Sequence, residues 1–230
     1  QQRHLCYTIA TTFRKTTRGT APGRKGTPMQ VATIPVGMLE VNCYLAWDDA
    51  SRQALIIDPG DDAATILRTT RRLDLKPWGI LLTHAHVDHI RAVGPLAAAL
   101  GIPVALHADD AGLYRSPANA LPPWLDAAED LPEPGSVPTD LPGLVYKRLH
   151  TPGHTPGGCS YYFPDGGTLF SGDTLFAGGI GRTDLPGGDT EQLLTSIRNQ
   201  LFTLPPETVV YPGHGPATAI GTEVRTNSFL

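Results

Sequence analysis

Thiols are scarce in this chain of 230 residues. Its three cysteines, Cys6, Cys43 and Cys159, are an odd number without a Cys-x-x-Cys spacing. That excludes a disulfide framework and a thiolate zinc knuckle, and it points to a reducing, cytoplasmic setting. Long apolar runs are missing too. The longest, at 79–82 and 95–100, fall far short of the roughly 20 residues a bilayer span requires, so no membrane partner is expected. Acidic side chains are absent from residues 1–28, which carry six basic ones: Arg3, Arg14, Lys15, Arg18, Arg24 and Lys25. Of the 18 Lys+Arg, 12 remain for residues 29–230 against all 22 Asp+Glu, a net of −10. An acidic body lacks the clustered cations that displace counterions from phosphates, which excludes a nucleic-acid partner.

The charge split suggests two parts. Residues 1–28, basic and rich in threonine, read as a disordered extension or as a transit-like segment, which would make the location organellar. Residues 29–230 suffice for one catalytic domain with a sizeable core. Within it, short apolar runs predict strands at 31–36, 41–46, 54–57, 79–83, 102–106, 144–149, 160–163, 168–170 and 208–211. Helical spacing predicts helices over 62–75, 90–100 and 190–202, the first closed by Lys76-Pro77. Hairpin-like strand pairs mixed with helix crossovers imply two packed sheets with helices outside. Seven prolines between 115 and 143 exclude long regular elements there, and such excursions are either lids or plain surface loops.

The chemistry concentrates in Thr83-His84-Ala85-His86-Val87-Asp88-His89, directly after an apolar strand. Four metal-ligating side chains occur within six residues. Residues two apart on an extended loop point the same way, so His84 and His86 can face one ion, while Asp88 and His89, after a turn, face a neighbouring point. Imidazole and carboxylate without thiolate suit zinc, iron or manganese. Three further donors stand in glycine-flanked turns: His154 in Pro152-Gly153-His154-Thr155-Pro156-Gly157, Asp173 in Ser171-Gly172-Asp173-Thr174, and His214 in Tyr211-Pro212-Gly213-His214-Gly215. Asp58 ends the buried run Leu55-Ile56-Ile57, where a carboxylate needs a partner such as a ligand imidazole N–H, or else caps a turn. The isolated His4, His107 and His150 are read as ordinary residues.

The His-x-His-x-Asp-His stretch, with His154, Asp173 and His214 following in order, resembles the signature of metallo-β-lactamase-fold hydrolases. Thr151-Pro152-Gly153-His154-Thr155-Pro156-Gly157-Gly158, Ser171-Gly172-Asp173-Thr174-Leu175-Phe176, Gly181-Arg182-Thr183-Asp184 and Tyr211-Pro212-Gly213-His214-Gly215-Pro216 are similar to the glyoxalase II (hydroxyacylglutathione hydrolase) branch, in its short bacterial form. The likeness spans 30–230. It implies an α/β fold, a four-layer αββα sandwich, and two divalent ions, zinc first, with iron or manganese as alternatives. His84, His86 and His154 would hold one ion, Asp88, His89 and His214 the other, and Asp173 would bridge them. Asp88 and Asp173 would be the catalytic carboxylates, and Asp58 would support a ligand from behind. Arg182 would meet a substrate carboxylate or pair with Asp184.

The implied reaction is hydrolysis of a small anionic thioester such as S-lactoylglutathione by water activated between the ions. A thiolate leaves without a general acid, whereas an amine does not, and no dedicated acid is evident. Glyoxalase II enzymes that carry a glutathione-binding helical region continue further than the 16 residues that follow His214 here, which leaves the thiol open and keeps a lactone in view. A mononuclear iron persulfide dioxygenase of the same fold is the alternative in another reaction class. Ile180 and Gly213-His214-Gly215 differ from that group's usual Cys and Ala-His-Asp. A binding module without chemistry would have lost ligands, and none is missing. Oligomeric state is not legible.

Overall fold

Strand pairing in this chain follows from where its two-residue periodicity puts apolar side chains. The computed structural model describes residues 29–230, and the basic segment 1–28, with His4 and Cys6, lies outside the described residues. The first sheet opens with a hairpin of β1 (Met29–Val36) and β2 (Val41–Asp48), in register from Met29 opposite Asp48 to Val36 opposite Val41. β3 (Gln53–Ile57) adds antiparallel to β2. Helix α1 (Ala63–Arg72) then crosses over to β4 (Lys76–Leu81), parallel to β3, and α2 (Val87–Ile90) with α3 (Val93–Leu100) leads to β5 (Val104–Ala105), parallel to β4.

After α4 (Ala111–Tyr114) and a small hairpin of β6 (Asp140–Leu141) and β7 (Leu144–Val145), the chain enters the second sheet. There β8 (Lys147–His150), β9 (Cys159–Phe163) and β10 (Thr168–Gly172) form an antiparallel meander. A hairpin of β11 (Leu175–Phe176) and β12 (Gly179–Ile180) precedes α5 (Thr190–Ser196). β13 (Val209–Pro212) returns parallel to β10, and β14 (Thr218–Ala219) and α6 (Ile220–Thr226) close the chain. The spatial order is β14-β13-β10-β9-β8.

Alternate residues of the same strands enter different cores. On β2, Cys43, Leu45 and Trp47 pack beside α1 and α3, while Tyr44 and Ala46 face the other sheet. On β9 and β10, Tyr161, Phe163 and Phe170 face β2 and β3, while Tyr162 and Leu169 pack against Leu193, Ile197 and Leu201 of the α5 segment. Three apolar interfaces between helix, sheet, sheet and helix are the four-layer sandwich that the resemblance implies. Each fully buried leucine or isoleucine adds about 2 kcal/mol.

Several elements differ from expectation. Lys76-Pro77 opens β4 instead of closing α1, because a register shift opposite Ala54 and Leu55 frees the proline from the hydrogen-bond ladder. The run at 144–149 divides at Tyr146, its first half pairing with β6 and its second with β9. The helix over 90–100 is two pieces, and the one over 190–202 widens into a π-helical turn, Ile197–Leu201. α4, α6 and the β11–β12 hairpin are too short for periodicity to signal.

Candidate metal centre

The seven predicted donors converge where four strands end. His84 and His86 extend from β4, and Asp88 and His89 ride on the single turn of α2. His154 sits in the turn between β8 and β9, Asp173 follows β10, and His214 follows β13. They form overlapping groups: His84 with His86 and His154, His84 with His89 and Asp173, and Asp88 with His89 and His214.

Outward hydrogen bonds fix which nitrogen faces in for four of the five imidazoles, His84, His89, His154 and His214. His154 Nδ1 donates to the Arg182 carbonyl at 2.7 Å, and His214 Nδ1 donates to the Leu39 carbonyl at 3.1 Å. His89 Nδ1 lies 3.0 Å from Asp58 Oδ2, and His84 Nδ1 lies 3.1 Å from Thr83 Oγ1. The Thr83 hydroxyl and amide both donate to Asp58, at 2.6 and 2.8 Å, so Asp58 braces two ligands and is not a mere turn cap. Its own backbone is left-handed, φ 48°, a conformation aspartate tolerates better than most residues.

The inward atoms then lack protons to share. His154 Nε2 lies 3.0 Å from His86 Nδ1 and 3.3 Å from His84 Nε2. At most one proton, on His86, can lie among three nitrogens that each offer a lone pair. Three buried atoms, His89 Nε2, Asp88 Oδ1 and Asp173 Oδ1, make no well-formed hydrogen bond. Orphaned acceptors of this kind are what cations satisfy, so the donors fit two ions. The Asp173 carboxylate lies between the groups: Oδ1 is 3.3 Å from His89 Nε2, and Oδ2 is 3.7 Å from both His154 Nε2 and His214 Nε2. His214 Nε2 is also 3.2 Å from Asp88 Oδ2. Gly213 permits this crowding, since a Cβ there would sit 2.2 Å from Asp173 Oδ1 and 2.7 Å from His89 Cε1.

Proton affinities divide the same way. Burial, reinforced by neighbouring imidazoles, pushes His84 well down and brings His86 to about 3. Burial also opposes charge on His89, but Asp173, Asp88 and Asp58 reverse this and raise it. His214 is raised despite burial by its bond to Asp88. Burial pushes Asp88 and Asp173 up, yet His89 chiefly reverses it, leaving both below the usual range. Cys43 and Cys159 are pushed up by burial, Cys159 to about 12, which removes both as nucleophiles.

The cavity over the donors holds about 390 Å³ and is walled by Leu39, Leu121, Phe176, Ile180 and Leu185. Leu121 brings the proline-rich excursion to the site. Arg182 lines the cavity too, with its guanidinium bonded twice to Asp184 at 2.7 Å. His107 and His150, read as ordinary, gather with Asp109 on the surface. Their rings stack at 4.1 Å and 9°, so their in-plane lone pairs cannot meet at one ion. Two residues the motifs did not indicate hold the ligand loops. Asn42 Nδ2 donates to the carbonyls of Pro212 and Gly215, at 3.1 and 2.9 Å, and Asp110 accepts from Ala85, Thr155 and Gly157. Neither belongs to a spaced pattern that a sequence reading could detect.

Known proteins match this geometry. The profile of the Metallo-beta-lactamase superfamily covers residues 36–214. The hydroxyacylglutathione hydrolase GloC of Haemophilus influenzae is 40% identical over 88% of this chain and 98% of its own length. Among solved structures, the BLEG-1 B3 metallo-beta-lactamase aligns with a TM-score of 0.79 at 39% identity, over 87% of this chain and 99% of its own. TTHA1623 in a di-iron-bound form aligns at 0.77 with 43% identity, over 86% and 99%. Among the described residues no helix is long and apolar enough to cross a membrane. With the profile spanning all seven donors and full-length relatives at such identity, the chain belongs to the metallo-beta-lactamase superfamily of metallo-hydrolases.

Proposed function

We propose that residues 29–230 form a binuclear metal-dependent thioester hydrolase. The observation that carries this reading is the convergence of seven inward donors, four of the imidazoles fixed by outward bonds and three of the inward atoms, His89 Nε2, Asp88 Oδ1 and Asp173 Oδ1, left without a well-formed hydrogen bond. His84, His86 and His154 would hold one divalent ion, Asp88, His89 and His214 a second, and Asp173 would serve both. Zinc is the first choice, and the di-iron-bound relative keeps iron in view. Such ions, when bound, acidify water and polarise a carbonyl.

The chain's own residues do the rest. Asp58 and the Leu39 and Arg182 carbonyls keep His89, His214 and His154 in the tautomers that present Nε2. The five apolar walls would pack against the acyl group. Asp88 and Asp173 are the carboxylates beside the reacting centre, and Asp88 can pass a proton outward. No other side chain lining the cavity is an acid. A thiol near pKa 8.5 leaves as thiolate without one, which favours a thioester over an amide. The similarity to GloC supports S-lactoylglutathione as the first substrate to try. A substrate carboxylate would share Arg182 with Asp184.

Elemental analysis of protein purified without added metal, beside assays of S-D-lactoylglutathione hydrolysis and of oxygen uptake with glutathione persulfide, tests the reading. Two metals per chain and thioester cleavage are expected. A single iron with oxygen uptake and no thioester cleavage would overturn it in favour of the dioxygenase. Asp173→Ala is expected to lose both ions, and unchanged metal content would refute the shared role.

A further inference from the structure

We infer that Asp110, which supplies no ligand, is the positioning residue that sets the spacing of the three-histidine point. This rests on the ligand assignment proposed above.

Asp110 is fully buried at the end of the short turn Ala108–Asp110, just after β5. Its Oδ2 accepts from the Ala85 amide at 3.1 Å and from the Thr155 hydroxyl at 2.9 Å, and its Oδ1 accepts from the Gly157 amide at 2.6 Å. Ala85 lies between His84 and His86. Thr155 adjoins His154, and Gly157 closes the same turn. One carboxylate therefore joins the loop that leaves the first sheet to the loop that bridges two strands of the second.

Other bonds fix only the bases of these loops: Cys159 N–H to the Thr83 carbonyl at 2.8 Å, and Tyr161 Oη–H to the Leu82 carbonyl at 2.9 Å. Between the imidazoles themselves one proton at most, on His86 Nδ1, can bridge to His154 Nε2 at 3.0 Å, while the 3.3 Å contact of His154 Nε2 with His84 Nε2 sets lone pair against lone pair. Asp110 supplies the attraction that keeps the tips together before an ion arrives. Three donors converge on two anionic oxygens, and an amide in the same place would offer one acceptor oxygen and turn N–H groups against donors. Gly157 is fitted to this approach, since a Cβ there would lie 2.5 Å from the Asp110 amide nitrogen and 2.7 Å from its Cβ. The carboxylate also interacts electrostatically with His154, where its charge favours a bound cation.

The test is chelator competition on the metal-loaded protein, following stepwise release of the two ions. His154→Ala identifies the step that belongs to the three-histidine point. In Asp110→Asn that step is expected to weaken by about 10-fold or more, the range typical of residues that orient metal ligands from behind, while the other step stays within about twofold. Thr155→Val, which removes one of the three bonds and keeps the carboxylate, is expected to shift the same step by less. Equal weakening of both steps, in parallel with a lower unfolding midpoint of the metal-free protein, would reduce Asp110 to a general stabiliser and overturn the inference, as would no change in either variant. If His154→Ala leaves both steps intact, the ligand assignment itself falls, and the inference with it.

Discussion

A histidine that is buried among other histidines resists protonation, and this gives the metal-free protein a pH dependence of definite sign. His84 and His86 have folded-state values below the 6.5 of the unfolded chain, His86 at about 3. Their stability contribution is complete above 6.5 and is lost as pH falls from 6.5 toward 3, because the unfolded chain then binds protons the folded one refuses. His89 and His214 are raised, so below 6.5 they are protonated in both states and flat. Asp88 and Asp173 add a further loss only below about 4. Unfolding free energies of chelated protein between pH 7 and 4.5 are expected to fall, with His86 alone contributing a slope approaching about 1.4 kcal/mol per pH unit, and His86→Gln should remove that share. The donors themselves were legible in sequence because their spacing is chemical. Asp58 was legible because a carboxylate ending a buried strand must be paired. Asp110 was not, since its partners are two backbone amides and a hydroxyl that no residue pattern marks.

At the scale of elements, the β1–β2 hairpin is the support for the His214 loop. Asn42 bonds the carbonyls of Pro212 and Gly215 through its side chain and that of Gly213 through its amide, and Tyr44 Oη–H reaches the Pro212 carbonyl at 2.6 Å. Asn42→Ala would remove two side-chain bonds, while the Pro212 carbonyl keeps Tyr44 and the exposed Gly215 carbonyl meets water, and it is expected to destabilise by about 1–3 kcal/mol in urea titrations. Under the proposed ligand assignment, release of an ion held by His214 should quicken more than release from the three-histidine point. Strands and long helices were readable from periods of two and 3.6. The break of the 90–100 helix, the division at Tyr146 and the two-residue strands were not, because there tertiary pairing overrides local pattern.

For the whole molecule, the join between the sheets is aromatic. Phe170 lies 5.0 Å from Tyr44, 5.6 Å from Phe163 and 5.5 Å from Tyr211, centroid to centroid. Phe170→Ala is expected to lower unfolding free energy by about 3–5 kcal/mol, measured by denaturant titration. Two sheets with outer helices followed from the order of hairpins and crossovers, whereas the assignment of each strand face to one of three cores needed the coordinates. The distribution of the ligands across those sheets has a temporal consequence. His84 to His89 leave the ribosome with the first sheet, His154 and Asp173 with the meander of the second, and His214 only after β13. Under the ligand assignment proposed above, the three-histidine position would therefore become bindable first during synthesis, and the position that includes His214 only once β13 has emerged.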